Sequence, residues 1–178
     1  MNGSPYVGEI HGGIMGMDWI KELIEAEQKM EESGIVDYAP SFDAEKTLEG
    51  ESILLLHKLK DLLIDSTAIY NKMRGASVGG IKIYGISRTK ADFMLFRNGY
   101  KLFFTMKRPG FIAVKTQHHG NDILSQQHES IDSIGHEDVI EARLGAFNEV
   151  IWTHQEQPIN VEYLVRHYFS RFVKESTK

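Results

Sequence analysis

The stretch "DFMLFRNGYKLFFTMKRPGFIAVK", residues 92–115, constrains the fold more than any other part of the chain. Asn98-Gly99 stands between two runs of alternating apolar residues. A two-residue hairpin turn of type I′ needs positive φ at both positions, and Asn-Gly supplies that at least cost. Such a turn leaves one register: Arg97 opposite Tyr100, Phe96 opposite Lys101, Leu95 opposite Leu102 and Met94 opposite Phe103. Pro109-Gly110 marks a second turn into "FIAVKTQ", and "IKIYGIS" ahead of the hairpin supplies another strand. The expectation is a four-stranded antiparallel meander over residues 81–117.

That register sorts the side chains into two faces. Phe93, Leu95, Tyr100, Leu102, Phe104 and Met106 share the first, with Arg97 at its edge, and they read as core. Met94, Phe96, Lys101, Phe103, Thr105 and Lys107 share the second, which mixes apolar rings with cations. A covering helix would make this a second buried face, with lysine stems lying along it and their ammonium groups reaching water. An open face would suit single-stranded nucleic acid, bases stacking on Phe96, Phe103 and Tyr84 while Lys82, Arg88, Lys101, Lys107 and Arg108 meet phosphates. A protein interface, between two copies or with an acidic helix, is the third reading.

Around the sheet the hydrophobic period is helical. Trp19, Leu23, Ala26 and Met30 predict an acidic amphipathic helix over 18–33, with Asp18 as its cap and Gly34 just past its end. Leu48, Leu55, Leu62 and Ile69 recur every seven residues, with Leu59 and Met73 between them and Leu56, Leu63 and Tyr70 alongside. This predicts a long helix over 48–74, wide enough in its apolar stripe to pack on more than one neighbour. It ends in "KMRG", with cations in the last turn and Gly75 free to turn left-handed. Ile140, Leu144, Phe147 and Ile151 predict a helix over 136–154, although Gly145 is unfavourable there and leaves a strand at "NEVIWT" as the alternative. Asn160 caps a last helix over 160–175.

The class expected is therefore α+β: two N-terminal helices, a four-stranded antiparallel β-meander and two C-terminal helices. Residues 1–16 form a flexible leader, 17–178 a single domain, and 118–135 a mobile, His-rich loop. A homodimer is expected from the width of the leucine stripe and the two-faced sheet.

The net charge of −5 hides a segregation that bears on partners. Residues 71–117 carry ten bases against Asp92 alone, a net of +9, whereas residues 1–70 sum to −9 and 118–178 to −5. The middle segment is as basic as many nucleic-acid-binding modules, unless the acidic N-terminal helices cover it. Cysteine is absent, which excludes disulfides, thiolate metal sites and thiol nucleophiles. No apolar run has the roughly 20 residues of a membrane-spanning helix, and the opening residues lack the pattern of a signal peptide, so the cytoplasm is the default location and no membrane partner is expected.

Catalytic motifs are wanting. The chain has no phosphate-cradling glycine loop, no dinucleotide fingerprint and no nucleophile elbow, and nothing in it implies a cofactor. His118, His119, His128 and His136 lie near Asp122, Glu129, Asp132 and Glu137, a composition that can hold a metal, but at no defined ligand spacing. "HKLKDL" around His57 resembles, over a few residues, the phospho-accepting helix of sensor kinases; a histidine on a helix surface is the plainer reading. The functional expectation is a non-catalytic module whose basic sheet engages an anionic partner, single-stranded nucleic acid first. A homodimeric protein-interaction adaptor is the alternative, and a metal-dependent hydrolase using the His-rich loop is the third.

Overall fold

The computed structural model describes residues 18–36, 43–75, 79–118 and 137–177. The chain divides into two units, Met1–Ser41 and Phe42–Lys178. In the first, helix α1 spans Asp18–Ser33 and ends as the glycine signal requires: Gly34 takes φ 66° and its N–H donates to the Met30 carbonyl.

The second unit opens with α2, Ala44–Arg74, which starts four residues before the leucine pattern does. Asp43 sets that start, because its carboxylate accepts the Lys46 N–H at 3.1 Å and satisfies an otherwise orphaned donor. At the far end Gly75 adopts φ 68° and closes the helix onto the Asn71 carbonyl. The buried row is Ser52, Leu55, Leu56, Leu59, Leu63 and Thr67. The seven-residue series does not stay on it, for Ile69 is 60% exposed, and neither does the neighbouring Met73 at 83%. A straight helix drifts about 20° per heptad, so residues three heptads along have rotated off the core side.

Seven antiparallel strands follow in one sheet, each beside its neighbours in sequence: β1 (Lys82–Gly85), β2 (Phe93–Arg97), β3 (Tyr100–Arg108), β4 (Phe111–His118), β5 (Glu137–Leu144), β6 (Val150–His154) and β7 (Gln157–Pro158). Helix α3, Val161–Glu175, closes the unit and is capped by Asn160, whose side chain accepts the N–H groups of Glu162 and Tyr163. The α+β class holds, but the four-stranded meander with two C-terminal helices does not. The described part of the chain has three helices and a seven-stranded sheet. The segment expected to be helical over 136–154 forms β5 and β6, joined by a short 3-10 turn at Ala146–Asn148. Ile140 is buried while Phe147 is fully exposed, so the supposed helical face never shares an environment. The period is two instead. Asp138, Ile140 and Ala142 point one way and Val139, Glu141 and Arg143 the other.

Asn98 and Gly99 take φ 48° and 83°, and the β2–β3 register is the one that turn dictates. Phe93, Leu95, Leu102, Phe104, Ile112, Val114 and Ile140 form the sheet side of the core; Leu55, Leu56, Leu59 and Leu63 of α2 and Leu164, Val165, Tyr168 and Phe172 of α3 form the helix side. Both helices of this unit therefore pack on the same face. The long α2 lies on the apolar face of the sheet, not over the lysines.

Arg97 is buried to 1% exposure rather than lying at an edge. Its Nε donates to the Gly79 carbonyl at 2.8 Å, and its Nη1 reaches the Val173 carbonyl and Ser176 Oγ, each at 3.4 Å. The guanidinium also lies 5.5 Å from the centre of the Tyr70 ring. Asn98 of the turn donates to the Ser176 carbonyl at 2.8 Å. Removing the guanidinium would take the charged donor from three acceptors at once and leave a gap beside Tyr70, so Arg97→Met should lower stability by about 3 kcal/mol in urea unfolding, with Arg97→Lys recovering only part of it.

Tyr168 shows a second dependence. Its hydroxyl donates to Asp138 Oδ2 at 2.9 Å, and burial, then that bond and the carboxylate's charge, push the phenol well above its ordinary value. The folded state thus holds the proton more tightly than the unfolded one. Its contribution is complete below about pH 10 and is lost as pH rises further. Tyr168→Phe should flatten the decline of the urea midpoint between about pH 9.5 and 11, relative to the unsubstituted protein.

Candidate functional site

The face of the sheet opposite α2 and α3 is laid out by strand register. Lys82, Phe96, Lys101 and Gln117 form one cross-strand row on β1 to β4. The next row is Tyr84, Met94, Phe103, Lys115 and Glu137. A third carries the smaller Thr105, Ala113 and Val139. Phe96 is therefore flanked on both sides by lysines, and Phe103 lies diagonally from it, about 7–8 Å away in ordinary sheet geometry. Met94, Phe96, Lys101, Phe103 and Thr105 are half-buried by their neighbours in the sheet, and Tyr84 at the edge strand is 44% exposed.

Toward the β3–β4 turn the alternation is interrupted at Lys107, where the register shifts between Met106 and Arg108. A bulge of this kind adds twist and re-aims the residues beyond it. Arg108 then pairs with Phe111 across the turn, its guanidinium 3.6 Å from the ring centre. Gly110 at φ 80° makes the turn, and its N–H donates to Ser52 Oγ at 2.9 Å, fastening this end of the sheet to α2. A Cβ there would meet Ala142 and Leu48 at 3.4 and 3.5 Å on a backbone already unsuited to an L side chain.

Of the eight residues expected to meet an anion, Lys82, Tyr84, Phe96, Lys101 and Phe103 share these rows. Arg108 stands at their far end. Lys107 is exposed and engaged by Glu137 at 3.1 Å, so much of its charge is answered locally. Arg88 is in the β1–β2 connection at φ 65°, in no strand row. Lys115 and Phe111 belong to the face and were missed, although alternation along "FIAVK" would have found them. Glu141 and Arg143 were missed because their segment read as helix. Among the described residues, Lys82, Lys101 and Lys115 have no carboxylate within salt-bridge distance. The cations on the face outnumber Glu137 and Glu141.

Of the histidine set, His118 alone lies among the described residues. His118 ends β4 and stacks on Tyr100 at 4.0 Å, whereas His119, His128 and His136 lie outside the described residues. Among the described residues no group of three or more His, Asp or Glu is placed to hold a metal ion, and no helix is long and apolar enough to cross a membrane. His57 is exposed on α2.

Comparison with known proteins adds no relative. No family model, curated protein or solved structure matches the chain.

The Lys107–Glu137 pair is solvated on both sides, so Lys107→Ala should change stability in urea unfolding by less than about 0.5 kcal/mol. A larger loss would mean that the bulge itself depends on the pair.

Proposed function

We propose that the open face of the sheet is a sequence-tolerant platform for single-stranded nucleic acid. The observation that carries this reading is the row Lys82–Phe96–Lys101 beside the row Tyr84–Met94–Phe103–Lys115, on the side of the sheet away from α2 and α3. Aromatic rings among ammonium groups offer the two contacts such a strand needs: π faces for unstacked bases and cations for its phosphates. Every base has a π face, so the platform reads little sequence. Arg108 beyond the bulge extends the cationic track, its guanidinium kept in place by the Phe111 ring.

Fluorescence anisotropy with a labelled oligothymidylate or oligouridylate, on the full chain, tests this. Four phosphate contacts, from Lys82, Lys101, Arg108 and Lys115, imply a log–log salt slope of about −3, a loss of roughly 50-fold in affinity between 50 and 200 mM salt. Lys101→Glu with Lys115→Glu should abolish binding. Phe96→Ala with Phe103→Ala should cost about 1–3 kcal/mol per base while leaving the salt slope unchanged. Lys107→Ala should matter little, since Glu137 already engages that ammonium. Absence of binding at about 50 mM salt, where the electrostatic contribution is strong, rules the platform out.

A further inference from the structure

The β5–β6 hairpin, like the one at Asn98-Gly99, turns on two consecutive residues of positive φ, but here they are Phe147 and Asn148, at 57° and 65°. Left-handed backbone suits glycine and asparagine, and for a bulky aromatic residue it is unfavourable. The turn is nonetheless a built one. Gly145 N–H donates to the Glu149 carbonyl at 2.8 Å, and Glu149 N–H donates to the Ala146 carbonyl at 3.3 Å. A Cβ on Gly145 would meet Glu149 Oε1 at 2.7 Å and Ile151 Cδ1 at 2.8 Å, so glycine is needed where these side chains fold over the neck of the hairpin. Phe147 stands fully exposed at the apex with Leu144 and Ile151 exposed beside it, and its ring meets no other ring among the described residues. No burial within its own unit offsets the strain, which points to a use outside it.

The same unit carries a hollow of about 490 Å³ between the last turns of α2 and the middle of α3. Ile69, Tyr70, Met73, Val165 and Phe169 supply its apolar wall. Tyr70 and Phe169 meet edge to face at 5.9 Å, and Met73 stands exposed beside the hollow. Aromatic walls and an adaptable thioether are surroundings in which a further ring packs well. Charge complements that fit. Arg166, in the α3 wall, forms no ion pair among the described residues, and neither does Glu149 next to the Phe147 apex. Lys72 and Lys174, in the last turns of the two helices, add positive charge at the same end, while Glu162 stands one turn earlier on α3.

We infer that this groove is the seat of Phe147 from a second copy of the chain, and that two copies exchange hairpin tips about a two-fold axis. The Phe147 ring enters against Tyr70, Phe169 and Met73, and Glu149 meets Arg166 of the copy that receives it. Each copy has one ring to give and one groove to fill, so a reciprocal exchange uses both and closes the assembly at two. The contact uses neither lysine row of the sheet and stands or falls separately from nucleic-acid binding.

Analytical ultracentrifugation of the full chain without nucleic acid, over about 1–200 µM, is the test, and a reversible monomer–dimer equilibrium is expected. Phe147→Asn removes the ring but keeps a residue suited to left-handed backbone. It should weaken dimerisation at least about tenfold without lowering the urea midpoint of the monomer. Met73→Glu, at an exposed position of the groove, should weaken it as much. Glu149→Arg and Arg166→Glu should each weaken the dimer, and the two combined in one chain should regain most of the loss. Should Phe147→Asn fail to fold, Met73→Glu and the charge exchange decide. A chain that stays monomeric over this range overturns the proposal. So does a dimer unmoved by a folded Phe147→Asn or Met73→Glu variant, or a double charge exchange no better than either single one.

Discussion

A guanidinium buried with no carboxylate partner among the described residues is the constraint on which the second unit turns. Arg97 ends β2 at the hairpin and is enclosed by the Gly79 and Val173 carbonyls, the Ser176 hydroxyl and the Tyr70 ring. Two of these acceptors belong to the last turn of α3 and the residues just past it, where the aligned peptide dipoles leave partial negative charge. A third precedes β1, and the ring belongs to α2. A single cation thus fixes the hairpin, both helices and the entry to the sheet in one relative position. Desolvating it is tolerable only because each bond is made, so the arrangement permits little sliding.

Other polar contacts set the same frame at different points. Asn71 of α2 both donates to the Ile81 carbonyl and accepts its N–H, each at 2.9 Å, which starts β1 in register with the helix. Ser52 holds the Gly110 turn, and Asp92 Oδ1 accepts the Met106 N–H at 3.0 Å just before the bulge. With α2 and α3 held against one face, the aromatic and lysine rows stand on the other without a helix of their unit above them. A binding surface of this kind owes its geometry to strand register, which is stiffer than a loop.

How much of this could be read from the residues depends on the range of the interaction. Turn chemistry is local, so Asn98-Gly99 specified the hairpin, its register and the division into two faces. Caps are local too, and Gly34, Gly75 and Asn160 end or begin their helices where their types demand. Residues 137–154 were misread because Ile140, Leu144, Phe147 and Ile151 fit a helical period while the alternation of Asp138, Ile140 and Ala142 fits a strand. Gly145, with Glu149 and Ile151 packed where a Cβ would stand, favoured the strand reading and was given too little weight. Arg97 was placed at an edge because nothing near it in sequence announces acceptors at residues 173 and 176. The two-faced sheet was legible, whereas the side taken by each helix depended on packing between distant segments.

The sequential strand order has a consequence for how the chain acquires its structure. Every pairing in the sheet joins neighbours along the chain, and all but the β4–β5 pairing, which closes over residues 119–136, do so across short connections at little cost in loop-closure entropy. Arg97 cannot follow that schedule. Its hairpin is local, but acceptors for its Nη1 lie 76 and 79 residues downstream. In any state that lacks α3, this charged group stands at the end of an otherwise apolar strand without the acceptors that enclose it in the fold. Its charge-assisted bonds are therefore complete only once the C-terminal end of α3 is in place.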